Sequence, residues 1–170
     1  EDNIALTKKV VEVAKEYGAS VEAELGVVGG NEGGGKAHQI QCTDPELAED
    51  FCKRTGIDAL AVAIGNAHGN YPVAPELRLD VLKQIDENCD TPLVLHGGTG
   101  ITPEIFQECI RNGVRKVNIA TASFDAVAKA AKESTSIDKP NYFKLSQNMA
   151  DAVYENVKKH IRIFNMENLK

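Results

Sequence analysis

No stretch of this 170-residue chain is apolar over anything like the roughly 18–20 residues that a membrane helix requires. Its start, Glu1-Asp2-Asn3, has neither the basic nor the apolar character of a signal peptide. Both absences point to a soluble chain. An excess of positive charge is also missing. Nineteen basic against 25 acidic residues leave a formal charge of −6, the wrong sign for a protein that lives on phosphate backbones. RNA or DNA therefore ranks last among its partners, and the basic residues Lys158, Lys159, His160 and Arg162 are accounted for by the dipole of the helix they end. None of the cysteines, Cys42, Cys52, Cys89 and Cys109, belongs to a CxxC pair, which speaks for reduced thiols in a cytoplasm. An initiator methionine is lacking too, and a helical pattern sets in within a few residues. The chain is expected to be the remainder of something longer.

What is present is enough for one domain spanning residues 1–170, with 42% hydrophobic residues to build its core. Leu6, Val10, Val13, Ala14 and Tyr17 recur at helix spacing, and Gly18 stops that first helix. A short apolar stretch at 20–25 precedes the glycine-rich run 29–36, where no regular structure is expected. Thr43-Asp44-Pro45-Glu46 reads as a capped helix start, with Thr43 as the capping hydroxyl and Gly56 as the stop. The run DALAVAIG (58–65) suits a strand buried on both faces. The cycle then repeats: helix 76–87, strand 92–95, helix 102–112, strand 114–120, helix 122–133, a polar linker, and a last helix marked by Leu145, Met149, Val153, Val157, Ile161 and Phe164. Strand–helix alternation with short connections predicts an α/β fold with a parallel sheet of four strands. Such a sheet is either a small open one or half of a (βα)8 barrel, which normally needs about 250 residues.

In either architecture the ligand site lies beyond the carboxyl ends of the strands. Those ends carry Glu24, then Gly65-Asn66-Ala67-His68-Gly69, then His96-Gly97-Gly98-Thr99-Gly100, then Asn118 with Ala120-Thr121. His68 and His96 are candidate zinc ligands, or else imidazoles that simply hydrogen-bond neighbouring carbonyls. His38 and His160 are expected to be solvated. Glycines 97, 98 and 100, placed before a helix N-terminus, offer N–H groups to an anion, or alternatively a tight turn. Glu32, in the glycine-rich run, is a carboxylate that could swing over the site as acid or base, or an ordinary exposed glutamate.

The strings VEAELGVVGG (21–30), DALAVAIGNAHGNY (58–71), PLVLHGGTGI (92–101) and KVNIAT (116–121) resemble the class II, zinc-dependent ketose-bisphosphate aldolases. The resemblance runs over essentially the whole chain. It implies the second half of a (βα)8 TIM barrel, roughly the last four βα units plus C-terminal helices, without the N-terminal half. It also implies reversible aldol cleavage of fructose or tagatose 1,6-bisphosphate in carbohydrate metabolism. By that resemblance His68 and His96 match two of three zinc histidines, and Glu24 matches the carboxylate of a second, more labile metal site, so that a second divalent metal or a monovalent cation is implied beside zinc. Gly69, Gly97, Gly98, Thr99, Asn118, Ile119, Ala120 and Thr121 match the segments that bind dihydroxyacetone phosphate. Glu32 matches the glutamate that moves protons, although Gly33 stands where the family usually has an acidic residue. Asn66 replaces a threonine common before the first histidine. The third histidine and the acid–base aspartate belong to the family's first half. The resemblance therefore implies a chain inactive by itself and a homodimer or tetramer when complete; the alternative is a non-catalytic phosphate-binding half-barrel whose unpaired sheet edges need a partner chain.

Overall fold

A computed structural model describes residues 1–30, 40–71 and 75–166. The elements run α1 (Asp2–Glu16), β1 (Glu22–Leu25), β2 (Gly29–Gly30), α2 (Pro45–Thr55), β3 (Ala59–Val62), β4 (Ala67–His68), α3 (Leu79–Asn88), β5 (Leu93–Leu95), α4 (Pro103–Arg111), β6 (Val114–Val117), α5 (Thr121–Thr135) and α6 (Tyr142–Phe164). The four longer strands form one parallel sheet in the order β1-β3-β5-β6. Each of these strands pairs with the next one in the chain, so the order never reverses. A doubly wound sheet has such a reversal and a barrel segment has none. The fold is therefore the α/β arrangement of a partial barrel.

One face of the sheet makes the core. Leu60, Val62, Leu93, Leu95 and Val114 pack against Phe51 of α2, Leu82 and Ile85 of α3, and Phe106 and Cys109 of α4, all buried. Each such side chain contributes about 1.5–3 kcal/mol by leaving water, so this face supplies most of the stability. The C-terminal helix α6 seals the α4 side through Ile163 and an edge-to-face contact between Phe164 and Phe106, with centroids 5.3 Å apart.

Several local expectations change. Asp44, not Thr43, caps α2: its carboxylate accepts from the Glu46 N–H. Thr43 is recruited elsewhere, donating to the Leu25 carbonyl at 2.5 Å and accepting from the Ala63 N–H at 2.9 Å. It thereby ties the ends of β1 and β3, a tertiary use that a capping pattern does not reveal. Helix α1 buries Thr7 and Val11, leaving Leu6, Val10, Val13 and Tyr17 exposed, because Thr7 and Val11 lie on the side that meets α2 and β1. Val157 and Ile161 of α6 are likewise exposed. His160 is only partly solvated: it sits edge-on to Phe106 at 6.1 Å, and its Nδ1 lies 2.8 Å from the Asn156 carbonyl. His38 and Glu32 lie outside the described residues. No helix among the described residues is long and apolar enough to cross a membrane.

Candidate metal and phosphate site

Side chains two apart on a strand share a face. The register sets Glu24 beside Ala61, Ala61 beside Val94, and Val94 beside Lys116, a row that crosses all four strands on the face away from the helices. Glu22 stands one pleat before Glu24, and His96 one pleat after Val94, on that same face. Ala61 and Val94 are buried beneath these charged neighbours. Lys116 and Glu22 come from opposite edge strands, which a flat sheet would hold about 14 Å apart, at three strand spacings. Their Nζ and Oε2 atoms are 2.9 Å apart. Side chains stand roughly perpendicular to a sheet, so this contact requires the sheet to curl toward the polar face. That is the curvature of a barrel wall.

His96 is held from both sides. Its Nε2 lies 2.9 Å from Glu22 and its Nδ1 3.2 Å from Glu24. The Glu24 contact is the main reason that His96 is held above the ordinary imidazole pKa, against the opposing effect of burial; Glu22 adds to it. Conversely, the His96 hydrogen bond lowers Glu24. At Glu22 burial works upward, but the hydrogen bonds from Lys116 and His96 outweigh it and leave its carboxyl below the usual range.

His68 is brought to the same place by a second, two-stranded parallel pairing of β2 with β4, in which Gly30 stands opposite His68. The glycine-rich run thus begins as a strand rather than irregularly. Gly30 has a φ of +81°, and a Cβ there would fall 2.2 Å from the His68 carbonyl oxygen, so only glycine allows the approach. The His68 and His96 rings are edge-on with centroids 5.9 Å apart. Two imidazoles and the Glu24 carboxylate form a nitrogen–oxygen donor set of the type zinc takes. Among the described residues, however, no group of three or more His, Cys, Asp or Glu side chains is arranged to hold a metal ion. The donors fit such an ion but stop short of a complete shell.

Beside the two rings lies a cavity of about 220 Å³ lined by His68, Gly69, His96, Gly97, Gly98, Thr99, Asn118, Ala120 and Thr121. Gly97 turns with a φ of +65°, where a Cβ would meet the Ala67 carbonyl at 2.1 Å. The Gly98 N–H donates to the Asn118 carbonyl, joining the loops after β5 and β6. Helix α5 opens at the cavity wall with no side-chain cap from its own N-cap residue, Ala120. The Ala122 N–H is met by the Thr99 hydroxyl at 3.1 Å, and the Ser123 and Phe124 N–H groups by the Ala120 carbonyl. An uncapped helix start next to a glycine turn is a ready anion site. Ile119 differs from its neighbours: its side chain packs on the hydrophobic core.

Four residues that sequence reasoning did not assign complete the geometry. Asn66 is fully buried; its Oδ1 accepts from the Ile64 N–H at 2.7 Å and its Nδ2 donates to the His96 carbonyl at 3.0 Å. A threonine has no amide to span these two groups, which gives the replacement at this position a structural meaning. The Tyr71 hydroxyl accepts from the Ala67 N–H at 2.7 Å and donates to the Gly97 carbonyl at 3.0 Å, linking the two histidine-bearing loops. Burial raises the Tyr71 pKa, keeping the hydroxyl protonated to donate. Glu22 and Lys116 each precede a recognised site residue, Glu24 or Asn118, by two positions, which sets them on the same strand face but is no site signal by itself.

Comparison with known proteins bears directly on this arrangement. The model for the class-II fructose-bisphosphate aldolases matches residues 1–169. Fructose-bisphosphate aldolase from Staphylococcus aureus is 43% identical over 170 residues, covering 99% of this chain and 59% of that protein. The Geobacillus stearothermophilus fructose-bisphosphate aldolase is 43% identical over 143 residues, covering 84% of this chain and 50% of that protein. Among solved structures, the YdjI aldolase of Escherichia coli K12 superposes with a TM-score of 0.82 at 37% identity, covering 96% of this chain and 56% of that one. A putative fructose-1,6-bisphosphate aldolase from Coccidioides immitis gives 0.85 at 34%, covering 96% and 58%. The chain thus spans well under two thirds of the length of these relatives, and the whole-chain match to the family model places it in the class-II fructose-bisphosphate aldolase family.

Proposed function

We propose that this chain supplies the metal-binding and phosphate-binding part of a zinc-dependent aldolase. The reaction is reversible cleavage of a ketohexose 1,6-bisphosphate, fructose or tagatose, into dihydroxyacetone phosphate and glyceraldehyde 3-phosphate. The observation that carries this reading is the convergence of the His68 and His96 rings, 5.9 Å apart, on a cavity whose other wall is a glycine turn and an uncapped helix start. His68 and His96 would hold the ion, with Glu24 placed to serve it or a second, weaker cation. A zinc ion there supplies Lewis-acid stabilisation of the negative charge that develops when the bond beside the ketone breaks.

The chain's own residues do the rest. Backbone N–H groups around Gly97-Gly98 and at the start of α5 bind the ester phosphate, and the Asn118 amide holds a substrate hydroxyl. Fixing the phosphate sets the reacting end against the histidines, which exchanges a costly encounter for a bound geometry. Glu32 is assigned the movement of the proton at the enediolate carbon, on resemblance. By resemblance, the third zinc histidine and the acid–base aspartate belong to the family's first half, and the described residues gather no group of three or more ligands arranged for a metal. The chain alone is therefore a binding half-barrel, and turnover belongs to the complete, cytoplasmic and homo-oligomeric polypeptide.

Cleavage of both bisphosphates, side by side, by the product of the full reading frame tests this. Activity on at least one sugar, abolished by chelator and restored by zinc, is the expected result. Turnover indifferent to chelator would defeat the zinc assignment, and no turnover on either sugar would defeat the substrate class.

A further inference from the structure

His96 has a carboxylate at each ring nitrogen, yet a ligand histidine can spare only one nitrogen for an orienting partner, because the other must face the metal. The surroundings of the two glutamates differ. Glu22 is paired through Oε2 with the Lys116 ammonium at 2.9 Å while its Oε1 holds His96 Nε2. For Glu24 the ion pair among the described residues is the one to His96 itself, and its backbone partner is the Val28 N–H. Drawing Glu22 toward a cation would strip a lysine of its counter-charge; drawing Glu24 would not. Lys116 has a second attachment: its Nζ donates to Asn118 Oδ1 at 2.5 Å. One ammonium therefore touches both the carboxylate behind a metal-site histidine and the amide on the cavity wall.

We infer that Lys116 and Glu22 form a positioning pair, in which Lys116 fixes Glu22 against His96 Nε2 and the same ammonium sets the Asn118 side chain in the substrate cavity. Glu24 is then the carboxylate left to turn toward a cation at the Nδ1 side. The span of this pair across the curled sheet adds to the case, since it bridges the two outer strands over Ala61 and Val94 and ties the orientation of a metal ligand to that of a substrate contact. The inference rests on the aldolase reading above.

The test uses the complete polypeptide with Lys116→Met, Lys116→Arg and Glu22→Gln. Two quantities are read: zinc affinity by competition with a chromophoric chelator, and KM separately from kcat for ketose-bisphosphate cleavage. Outer-sphere partners of metal histidines typically carry 10–100-fold in affinity. Lys116→Met is expected to weaken zinc about tenfold and to raise KM by a similar factor, and Glu22→Gln to weaken zinc with a smaller change in KM. Lys116→Arg should recover most of both losses, since an arginine keeps the charge. The inference is overturned if Lys116→Met keeps wild-type zinc affinity and KM, or if Lys116→Arg is as damaged as Lys116→Met. Should Lys116→Met not fold, Glu22→Gln decides alone: unchanged zinc affinity overturns the pair. A wild-type protein that takes up no zinc is a different failure, one that removes the aldolase reading and this inference with it.

Discussion

The two faces of the four-stranded sheet are built from the same strands yet obey different physics. On the helix-packed face Leu60, Val62, Leu93, Leu95 and Val114 exclude water, and any apolar group of matching size would serve. On the opposite face Glu22, Glu24, His96 and Lys116 stand over Ala61 and Val94, and each of these side chains is held by a charged partner of defined geometry. The first face fixes where the backbone runs; the second spends that rigidity on placing a few atoms within hydrogen-bond distance. Stability and chemistry are thereby divided between alternate residues of single strands.

Predictions that would break or sharpen this division run from large to small effects on stability. Phe106→Ala, on the packed side, should cost about 3–5 kcal/mol in urea unfolding, while any protein that remains folded keeps wild-type zinc affinity; lost affinity in folded protein would show that the faces are not separable. Asn66→Ala crosses the division, because it strands the buried Ile64 N–H and frees the His96 carbonyl. A loss of about 2–3 kcal/mol together with weaker zinc binding is expected, and a purely structural effect would place Asn66 on the core side only. Tyr71→Phe removes one hydroxyl shared by the two histidine loops; it should cost about 1 kcal/mol and raise KM, measured by steady-state cleavage. Glu24→Gln belongs wholly to the polar face. Being part exposed, it should alter unfolding by less than ~1 kcal/mol while lowering cation affinity by equilibrium dialysis, and a large loss of stability there would contradict the division.

How far the sequence could be read follows the same split. The apolar run at 58–65 announced a strand buried on both faces and 92–95 a further strand, and the helix stop at Gly56 appears with its left-handed φ of +69°. His68, His96, Gly97 and Asn118 stood out because polar residues at the end of an apolar strand demand a reason. Lys116 and Glu22 did not, since a charged residue within a strand looks solvated until the register and curl of the sheet are known. The pairing of β2 with β4 is two residues long on each side, too short to leave any periodicity. Helix α1 misled because its apolar stripe is real but faces outward; periodicity tells that a helix has an apolar side, not which neighbour is present to cover it. Thr43 and His160 were drawn away from their local roles by contacts 18–20 residues away in the first case and by an aromatic pair in the second.

The most direct measurement is metal content by atomic emission of the complete polypeptide, purified without chelator, beside its His68→Ala and His96→Ala forms, with circular dichroism showing all three folded. If the rings share one ion, wild type carries zinc and each single substitution empties the site and removes cleavage with it. Undiminished zinc in either variant would contradict the shared site on which the functional reading stands.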